Sequence, residues 1–271
     1  MQLSIVILNY KTKNLLKQCL KNIANLSLPF EHEIIVVDNN SQDGAGEMVK
    51  ENFPEYKFIQ ADRNRGMGAG NNLGIKHSRG EYVLILNPDV VVLENSIEKL
   101  LKFIEKDKKI GCVAPQLLYP NKTYQQSRYK FPKFFMLPVF IRTGLGKFVK
   151  RALDEYFMNN IPIDQAHKID WARGSALLIR KSVLDKIHGF DERFFMYLED
   201  TDLCRRIWQA GYEIWYVPDA QMIHYYFRES GSGSWLKDLF KKLAWIHIAS
   251  WFKYFWKWRG RSLKHFNILT F

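Results

Sequence analysis

Short apolar runs alternate with stretches of helical periodicity along the first hundred residues of the chain. Residues 3–8 and 33–37 have the composition of buried β-strands, and between them apolar side chains recur at three- and four-residue steps. Two more runs, 57–60 and 82–86, are separated by a Gly- and Asn-rich turn and a short helix. This alternation predicts an α/β fold in which helices flank a mostly parallel central sheet.

Polar residues follow each of these four predicted strands. Ligands of such sheets bind beyond the carboxyl ends of the strands. The residues at these ends are Asn9, Asp38, Asn39, Asn40, Asp62, Arg63, Asn64, Asn87, Pro88 and Asp89. The sequence therefore predicts one ligand-binding rim that takes polar groups from four strands.

The second half of the chain is less regular. Residues 120–168 follow no clear period, and we interpret them as a loop-rich insertion. The pattern then predicts a strand over 174–180, a short helix capped by Ser182, a helix over about 199–210 ended by Gly211, and a strand over 212–217. A Gly-Ser-Gly-Ser joint at 231–234 separates these elements from a C-terminal tail.

The tail differs in composition from the rest of the chain. From residue 231 to the end it carries eight Lys or Arg and one acid, Asp238, within a chain of net charge +12. Apolar residues at 236, 239, 240, 243 and 246 predict an amphipathic helix, and aromatic and basic residues crowd together over 251–261. This mixture is typical of a protein that binds an anionic membrane surface or a nucleic acid. Packing of the helix on its own domain or on a second copy is the alternative.

Other features of the sequence exclude several classes of protein. No apolar run reaches the roughly 18 residues of a membrane-spanning helix, and the start of the chain lacks the pattern of a secretory signal. We therefore expect a cytoplasmic protein. Cys19, Cys112 and Cys204 lie far apart without metal-site spacing, which predicts ordinary core thiols.

Four motifs follow one another in a specific order. They are VVDNNS at 36–41, NRG at 64–66 with NNLG at 71–74, LNPD at 86–89, and GFDE at 189–192 leading to YLEDTDLCRR at 197–206. With these motifs the chain resembles inverting family-2 glycosyltransferases of the GT-A fold, and most closely their rhamnosyltransferase branch, over residues 3–224. The resemblance implies a catalytic domain over 1–228, with a nucleotide-binding part at about 1–115 and an acceptor-binding part at about 116–228. A basic, aromatic helical tail follows over 229–271.

The resemblance also implies a binding site for a nucleotide-diphosphate sugar donor. Its donor-binding residues would be Asn9, Asp38, Asn40, Arg63, Asn64, Gly66, Asn72, Asn87 and Asp89. Asp38 would accept the imide N–H of uracil or thymine, although Asp followed by Asn also simply turns a chain. The glycines from Gly66 onward either bring a helix start close to the donor phosphates or serve packing. They follow the third strand and not the first, so they do not form a dinucleotide fingerprint.

The resemblance further implies a divalent cation, Mg²⁺ or Mn²⁺. Asn87, Pro88 and Asp89 occupy the place of the metal-binding Asp-x-Asp signature, with Asp89 as the metal ligand. Asn87 replaces the first acid, which lowers the local charge and can shift that residue to the donor sugar or ribose. His224 would complete the metal shell or touch the diphosphate.

Acidic residues at 199–202 match the catalytic position of the resembled family. Inverting transfer needs a base that takes the proton of the acceptor hydroxyl, and the resemblance implies Asp200 in this role, with Glu199 beside it at the acceptor. The competing interpretation is that acids simply favour the start of a helix. Asp202 is expected to cap the helix or to pair with an arginine. Trp171 and Arg173 would lie near the acceptor, where Trp171 either stacks on a sugar or fills the core.

The first hypothesis for function is transfer of rhamnose from dTDP-rhamnose to a hydroxyl of a lipid-linked cell-surface glycan. Alternatives are the same chemistry with UDP-galactofuranose, UDP-galactose or UDP-N-acetylglucosamine, and a noncatalytic GT-A scaffold, which the change at Asn87 leaves open. A nucleic-acid-binding protein is a further class, but the clustered acids argue against a nucleic-acid groove. We expect peripheral binding at the inner face of the cell membrane, with dimerisation through the tail helices as the alternative.

Overall fold

The computed structural model describes residues 1–134, 150–225 and 242–261. The strands are β1 (Leu3–Asn9), β2 (His32–Asp38), β3 (Lys57–Gln60), β4 (Tyr82–Leu86), β5 (Val90–Val92), β6 (Ile110–Leu118), β7 (Tyr124–Gln125), β8 (Arg128–Tyr129), β9 (His167–Lys168), β10 (Trp171–Ala172), β11 (Ala176–Arg180) and β12 (Glu213–His224). The helices are α1 (Lys13–Ala24), α2 (Ala45–Asn52), α3 (Met67–His77), α4 (Ser96–Ile104), α5 (Lys150–Tyr156), α6 (Lys181–Ile187), α7 (Glu199–Gln209) and α8 (Lys242–Trp258).

Ten of the described strands form the central sheet, in the order β3-β2-β1-β4-β11-β6-β12-β5, with β7 beside β6 and β9 beside β12. The pairs β1–β2, β2–β3, β1–β4 and β6–β12 are parallel, whereas β11 runs antiparallel to both of its neighbours. The predicted mostly parallel sheet with flanking helices is confirmed. The sheet is continuous through β6, which crosses the expected boundary at 115/116 between the donor and acceptor parts.

Most predicted elements have close counterparts, and one prediction is corrected. Ser182 does not cap α6, because that helix begins at Lys181 after an extended Arg180 and has no side-chain cap. In its described part, the insertion predicted to be rich in loops contributes the short elements β7, β8, α5 and β9. The helix expected at about 199–210 is found as α7, and Gly211 follows it with φ of +91°. All three cysteines are buried and unpaired.

Helix α3 packs closely on β1, and two of its glycines make this contact possible. A Cβ at Gly70 would lie 2.4 Å from Cδ1 of Leu8, and one at Gly74 would lie 2.3 Å from Cγ1 of Val6. Real Cβ atoms do not approach other atoms this closely. For Gly70 and Gly74 the packing interpretation is therefore the one that the structure supports.

The tail helix α8 docks on the catalytic domain. Trp251, Tyr254 and Trp258 form a buried cluster with Phe194 and Leu198. Burial of these three rings corrects the expectation that the aromatic residues over 251–261 act together as interfacial anchors. Residues 226–241 lie outside the described residues, and the Gly-Ser joint and the first part of the predicted helix fall there. Among the described helices, none has the length and apolar character needed to cross a membrane.

Candidate active site

The ends of β1 and β2 place Asn9 and Asp38 side by side. Asn9 Nδ2 donates to Asp38 Oδ1 at 2.7 Å, while the backbone N–H of Ser41 and Nε2 of Gln60 donate to Asp38 Oδ2 at 2.8 and 2.9 Å. Burial alone would raise the pKa of Asp38, but these hydrogen bonds outweigh burial and hold it below its ordinary value. Asp38 is therefore a buried, ionised carboxylate whose two oxygens already accept protein donors.

Side-chain amides order the loop between β3 and α3. Asn64 Oδ1 accepts hydrogen bonds from Asn39 Nδ2 and from the backbone N–H of Gly66, both at 2.9 Å. Asn40 donates to a backbone carbonyl of the same loop at 3.3 Å, and Arg63 is exposed. The loops after β2 and β3, which contain several of the predicted donor-binding residues, are thus joined by hydrogen bonds.

Gly66 fixes the start of α3 against the loop that leads into α7. Its φ is +98°, and a Cβ there would lie 2.2 Å from the carbonyl oxygen of Phe195, which also accepts the N–H of Met67 at 2.8 Å. The N–H of Met67 is therefore not free to face a phosphate. Farther along α3, the amide of Asn72 exchanges two hydrogen bonds with the backbone of Phe190, at 2.7 and 2.9 Å. Helix α3 and the loop before α7 are therefore joined by backbone and side-chain hydrogen bonds.

Asp89 and His224 come together from two distant strands. Asp89 lies in the turn between β4 and β5, and His224 is the last residue of β12, which extends beyond the strand predicted over 212–217. His224 Nε2 lies 3.3 Å from Asp89 Oδ2 and 3.2 Å from Ser175 Oγ. Gln125 Oε1 lies 2.6 Å from His224 Nδ1. An amide oxygen only accepts, so Nδ1 of His224 donates to Gln125, and Nε2 is the ring nitrogen that faces Asp89 and Ser175.

Asp89 and His224 suit the implied cation. Among the described residues, Asp89 Oδ1 is buried and accepts no hydrogen bond. Burial of an unpaired carboxylate oxygen costs free energy unless a cation or a hydrogen-bond donor contacts it. A carboxylate oxygen and an imidazole nitrogen are ligands that Mn²⁺ accepts, and Mg²⁺ takes the carboxylate. No group of three or more His, Cys, Asp or Glu side chains in the described part of the chain could hold a metal on its own. A cation held by these two residues would take its remaining ligands from water or from a bound molecule.

Two adjacent acids begin α7 in different surroundings. Asp200 accepts hydrogen bonds from the backbone N–H groups of Gly174 and Thr201, at 3.0 and 2.7 Å. Burial raises the pKa of Asp200, and these donors together with Arg173 oppose the rise. Burial and the neighbouring Asp200 raise the pKa of Glu199 to about 8. The backbone donors of Gly174 and Thr201 stabilise the ionised form of Asp200, so a proton shared by the pair is favoured on Glu199.

Two consecutive residues join the acids of α7 to the Asp89–His224 pair. Gly174 contacts Asp200, and the next residue, Ser175, contacts His224 and accepts the backbone N–H of Asn87 at 2.9 Å. Acids more than a hundred positions apart in the chain thus border the same short segment. The residues expected to act as base and as metal ligands are therefore joined through Gly174 and Ser175.

The two residues expected near the acceptor have different environments. Trp171 is 9% exposed, stacks on Tyr129 with ring centroids 4.3 Å apart, and donates its indole N–H to a backbone carbonyl. Little of its ring is available to a sugar, so its position fits the core-filling alternative. Arg173 is only partly buried, contacts the Tyr129 hydroxyl at 3.0 Å and acts electrostatically on Asp200.

Ser175 and Gln125 contribute to the site, although the sequence singles out neither of them. Gln125 lies in the insertion that has no period, and Ser175 falls within the strand predicted over 174–180. The one local sign in the sequence is that each is a polar residue next to apolar residues of a strand, which is too common a pattern to indicate a site.

Asp202 pairs with an arginine, as expected, since Arg206 Nε lies 2.8 Å from its carboxylate.

Solved structures with the same arrangement of sheet and helices are glycosyltransferases with the GT-A fold. GalNAc-T7 with UDP, GalNAc and Mn2+ aligns with a TM-score of 0.65 at 18% identity, covering 86% of this chain and 44% of that one. The mannosyltransferase PcManGT from Pyrobaculum calidifontis, in complex with GDP-Man and Mn2+, aligns with a TM-score of 0.60 at 17% identity, covering 84% and 58%. This chain thus spans less than two thirds of either one. The likeness establishes the GT-A fold.

The chain belongs to Glycosyl transferase family 2, whose sequence model matches residues 4–199. It is 30% identical to an N-acetylglucosaminyl-diphospho-decaprenol L-rhamnosyltransferase of Mycobacterium tuberculosis, over 77% of this chain and 72% of that protein. It is 26% identical to the rhamnosyltransferase WbbL of Escherichia coli, over 98% of this chain and 97% of that protein. The resemblance stated from the motifs is confirmed, and the chain is a glycosyltransferase with rhamnosyltransferase relatives.

Proposed function

We propose that this glycosyltransferase moves a sugar with inversion from a nucleotide-diphosphate donor, foremost rhamnose from dTDP-rhamnose, to a hydroxyl of a lipid-linked cell-surface glycan. The single observation that carries the proposed chemistry is that Gly174, which donates to Asp200, is followed directly by Ser175, which contacts His224. The names of the two relatives support rhamnose, and one of these names includes a diphospho-decaprenol.

Asp200 is the base of the proposed reaction. The acceptor hydroxyl gives its proton to the Asp200 carboxylate as its oxygen forms a bond to the anomeric carbon. On the opposite face the bond from that carbon to the diphosphate oxygen breaks, and its electron pair leaves with the diphosphate. One displacement from the opposite face inverts the anomeric centre. Glu199, which keeps its proton, adds no second charge beside the base and can donate a hydrogen bond to the acceptor.

Residues at the strand ends, together with two at the start of α3 and within it, hold the donor in this proposal. They are Asn9, Asp38, Asn40, Arg63, Asn64, Gly66, Asn72, Asn87 and Asp89. Bound Mg²⁺ or Mn²⁺, held by Asp89 and His224, would supply positive charge to the departing diphosphate. Gln125 contacts Nδ1 of His224 and so holds the ring with Nε2 beside Asp89, where both could bind the cation. Arg173 would lie at the acceptor, because it is the basic residue that acts on Asp200.

The proposal includes a cellular place and partners. A lipid-linked acceptor is confined to a membrane, so the enzyme would work peripherally at the inner face of the cell membrane. A nucleotide sugar and a glycan acceptor are its partners, and no nucleic acid is among them.

Replacement of the base tests the proposed chemistry. Asp200→Asn should lower transfer at least about a thousandfold, because an amide cannot take the proton, while the donor still raises the melting temperature. Asp219→Asn, at an exposed position, is the matched control and should keep full activity. Normal turnover by Asp200→Asn would remove this residue from the base role.

The identity of the donor needs a separate measurement. Thermal shifts with dTDP-rhamnose and the three UDP-sugars, each with and without Mn²⁺, should be largest for dTDP-rhamnose with metal. A larger shift with a UDP-sugar would replace rhamnose in the proposal. If every donor leaves the melting temperature unchanged and none is transferred, the chain is a noncatalytic scaffold.

A further inference from the structure

Helix α8 has two aromatic faces, and only one of them is used inside the protein. Trp251, Tyr254 and Trp258 face the catalytic domain, as described above. Trp245, Phe252 and Trp256 are 61%, 52% and 71% exposed. Their spacing of seven and four residues places them on a single stripe, on the side of the helix away from the buried rings. We call these three residues the outer stripe.

Basic side chains border the outer stripe. The guanidinium group of Arg259 lies 3.5 Å from the ring centroid of Trp256, and both Arg259 and Arg261 are exposed. The sequence from 242 to 261 contains no acid. Phe134, itself 52% exposed, extends the apolar surface by contacting the ring of Phe252 at a centroid distance of 6.2 Å.

An exposed aromatic surface of this kind marks an interaction site. The positive charge around it allows two possible partners, a second copy of the chain and a bilayer, to be compared. A second copy that paired through the same face would bring Arg259 against the Arg259 of its partner or against other positive charge, with no acid on the described helix to offset it. A bilayer with anionic headgroups offers the opposite charge, and it has an interfacial layer in which tryptophan rings are stabilised. Charge complementarity therefore favours the bilayer.

We propose that the outer stripe of α8 binds the surface of an anionic bilayer, with the helix lying in the interface and Arg259 at the headgroups. The inner face of α8 is fixed to the loop before α7, because Ser250 Oγ donates to the carbonyl of Met196 at 2.8 Å. The bilayer would therefore set the orientation of the acidic pair on α7. This inference deepens the proposed function, since it rests on an acceptor that is lipid-linked.

The binding test uses vesicles that contain no acceptor lipid. The full chain should bind vesicles of phosphatidylcholine with phosphatidylglycerol far more tightly than vesicles of phosphatidylcholine alone, as measured by cosedimentation. Removing the outer stripe by Trp245→Ser, Phe252→Ser and Trp256→Ser together should weaken this binding at least about a hundredfold. Arg259→Gln should weaken it about fivefold. Tyr119→Ser, which removes a ring that is 39% exposed elsewhere on the surface, is the matched control and should bind as the wild type does.

Several results would overturn the inference. Equal binding to both kinds of vesicle would do so, as would unchanged binding by the triple variant. A dimer that the triple variant abolishes, without any vesicle binding by the wild type, would assign the stripe to a second copy. The triple variant should keep its melting temperature and its transfer to a water-soluble acceptor. Vesicle binding by a wild-type chain that transfers no sugar would support the inference while contradicting the proposed function.

Discussion

Lys257 connects the tail helix to the helix that begins with the acidic pair, and its removal should be costly. Its Nζ lies 2.7 Å from the carboxylate of Asp202 and 2.6 Å from Asp191 Oδ2. Asp202 is fully buried and also accepts hydrogen bonds from Arg206 Nε at 2.8 Å and Trp258 Nε1 at 2.9 Å. Lys257→Met keeps most of the side-chain volume and removes only the charge, so it isolates the ion pairs.

The expected loss follows from burial. Removing one partner of a buried ion pair costs about 3–5 kcal/mol, because the other charge is left without compensation. Lys257 is only 13% exposed, so water replaces little of what is lost. Asp202 keeps Arg206 and Trp258, which places the expected cost at the low end, about 3 kcal/mol. For a domain of this size that lowers the melting temperature by roughly 6–12 °C.

Thermal unfolding of three further variants gives the controls. Lys253→Met removes an exposed lysine of the same helix that donates only to the carbonyl of Arg193, and it should change stability by less than about 1 kcal/mol. In an Asp202→Asn background, Lys257→Met should cost clearly less than in the wild type, since the main buried charge is gone. Equal costs in both backgrounds, or equal shifts for the two lysine variants, would refute the reasoning.

Three more predictions concern the site. Gly66→Ala should lower the melting temperature more than Gly211→Ala, because both glycines have positive φ but only the first would place a Cβ against backbone; equal shifts would contradict this. The raised pKa of Glu199 means that its contribution to stability is full below about pH 4.5 and is lost as the pH rises to about 8. Glu199→Gln should therefore gain on the order of 4 kcal/mol relative to wild type between pH 4.5 and 9, measured by denaturant unfolding; a gain that does not depend on pH would refute the assignment. Asp89→Asn should weaken Mn²⁺ binding in the presence of nucleotide at least about tenfold by calorimetry, and unchanged affinity would exclude Asp89 as a ligand.

Elements with a clear local pattern could be predicted from the sequence. Strands β3 and β4 have the predicted bounds, because an apolar run bounded by turn residues leaves few alternatives. The i, i+4 spacing of Asp202 and Arg206 likewise made their pairing foreseeable. The cap at Ser182 failed for a local reason too, since β11 passes into α6 without the extra residue that a capping loop needs.

Contacts between segments far apart in the chain could not be predicted from local sequence patterns. Gln125 reaches His224 across 99 positions, and nothing near Gln125 signals this contact. The tail shows the problem most clearly, because Trp251 and Trp256 are both aromatic residues at helical spacing. One is 3% exposed and the other 71%, and the difference is decided by the loop on which the helix docks. Periodicity could predict a helix there but could not choose which of its two aromatic faces is buried.

Docking of the tail also bears on how the site is built. The family match ends at residue 199, yet the fully buried acid at 202 depends on Lys257 and Trp258, more than 50 positions farther along. A buried carboxylate two residues from Asp200 would lose these partners if α8 were removed, and α7 would then have to shift to bring its charge to water. The same helix carries the outer stripe on its other side. The segment beyond the family match therefore supports the helix of the proposed base and, through its other face, gives the enzyme its proposed orientation at a membrane.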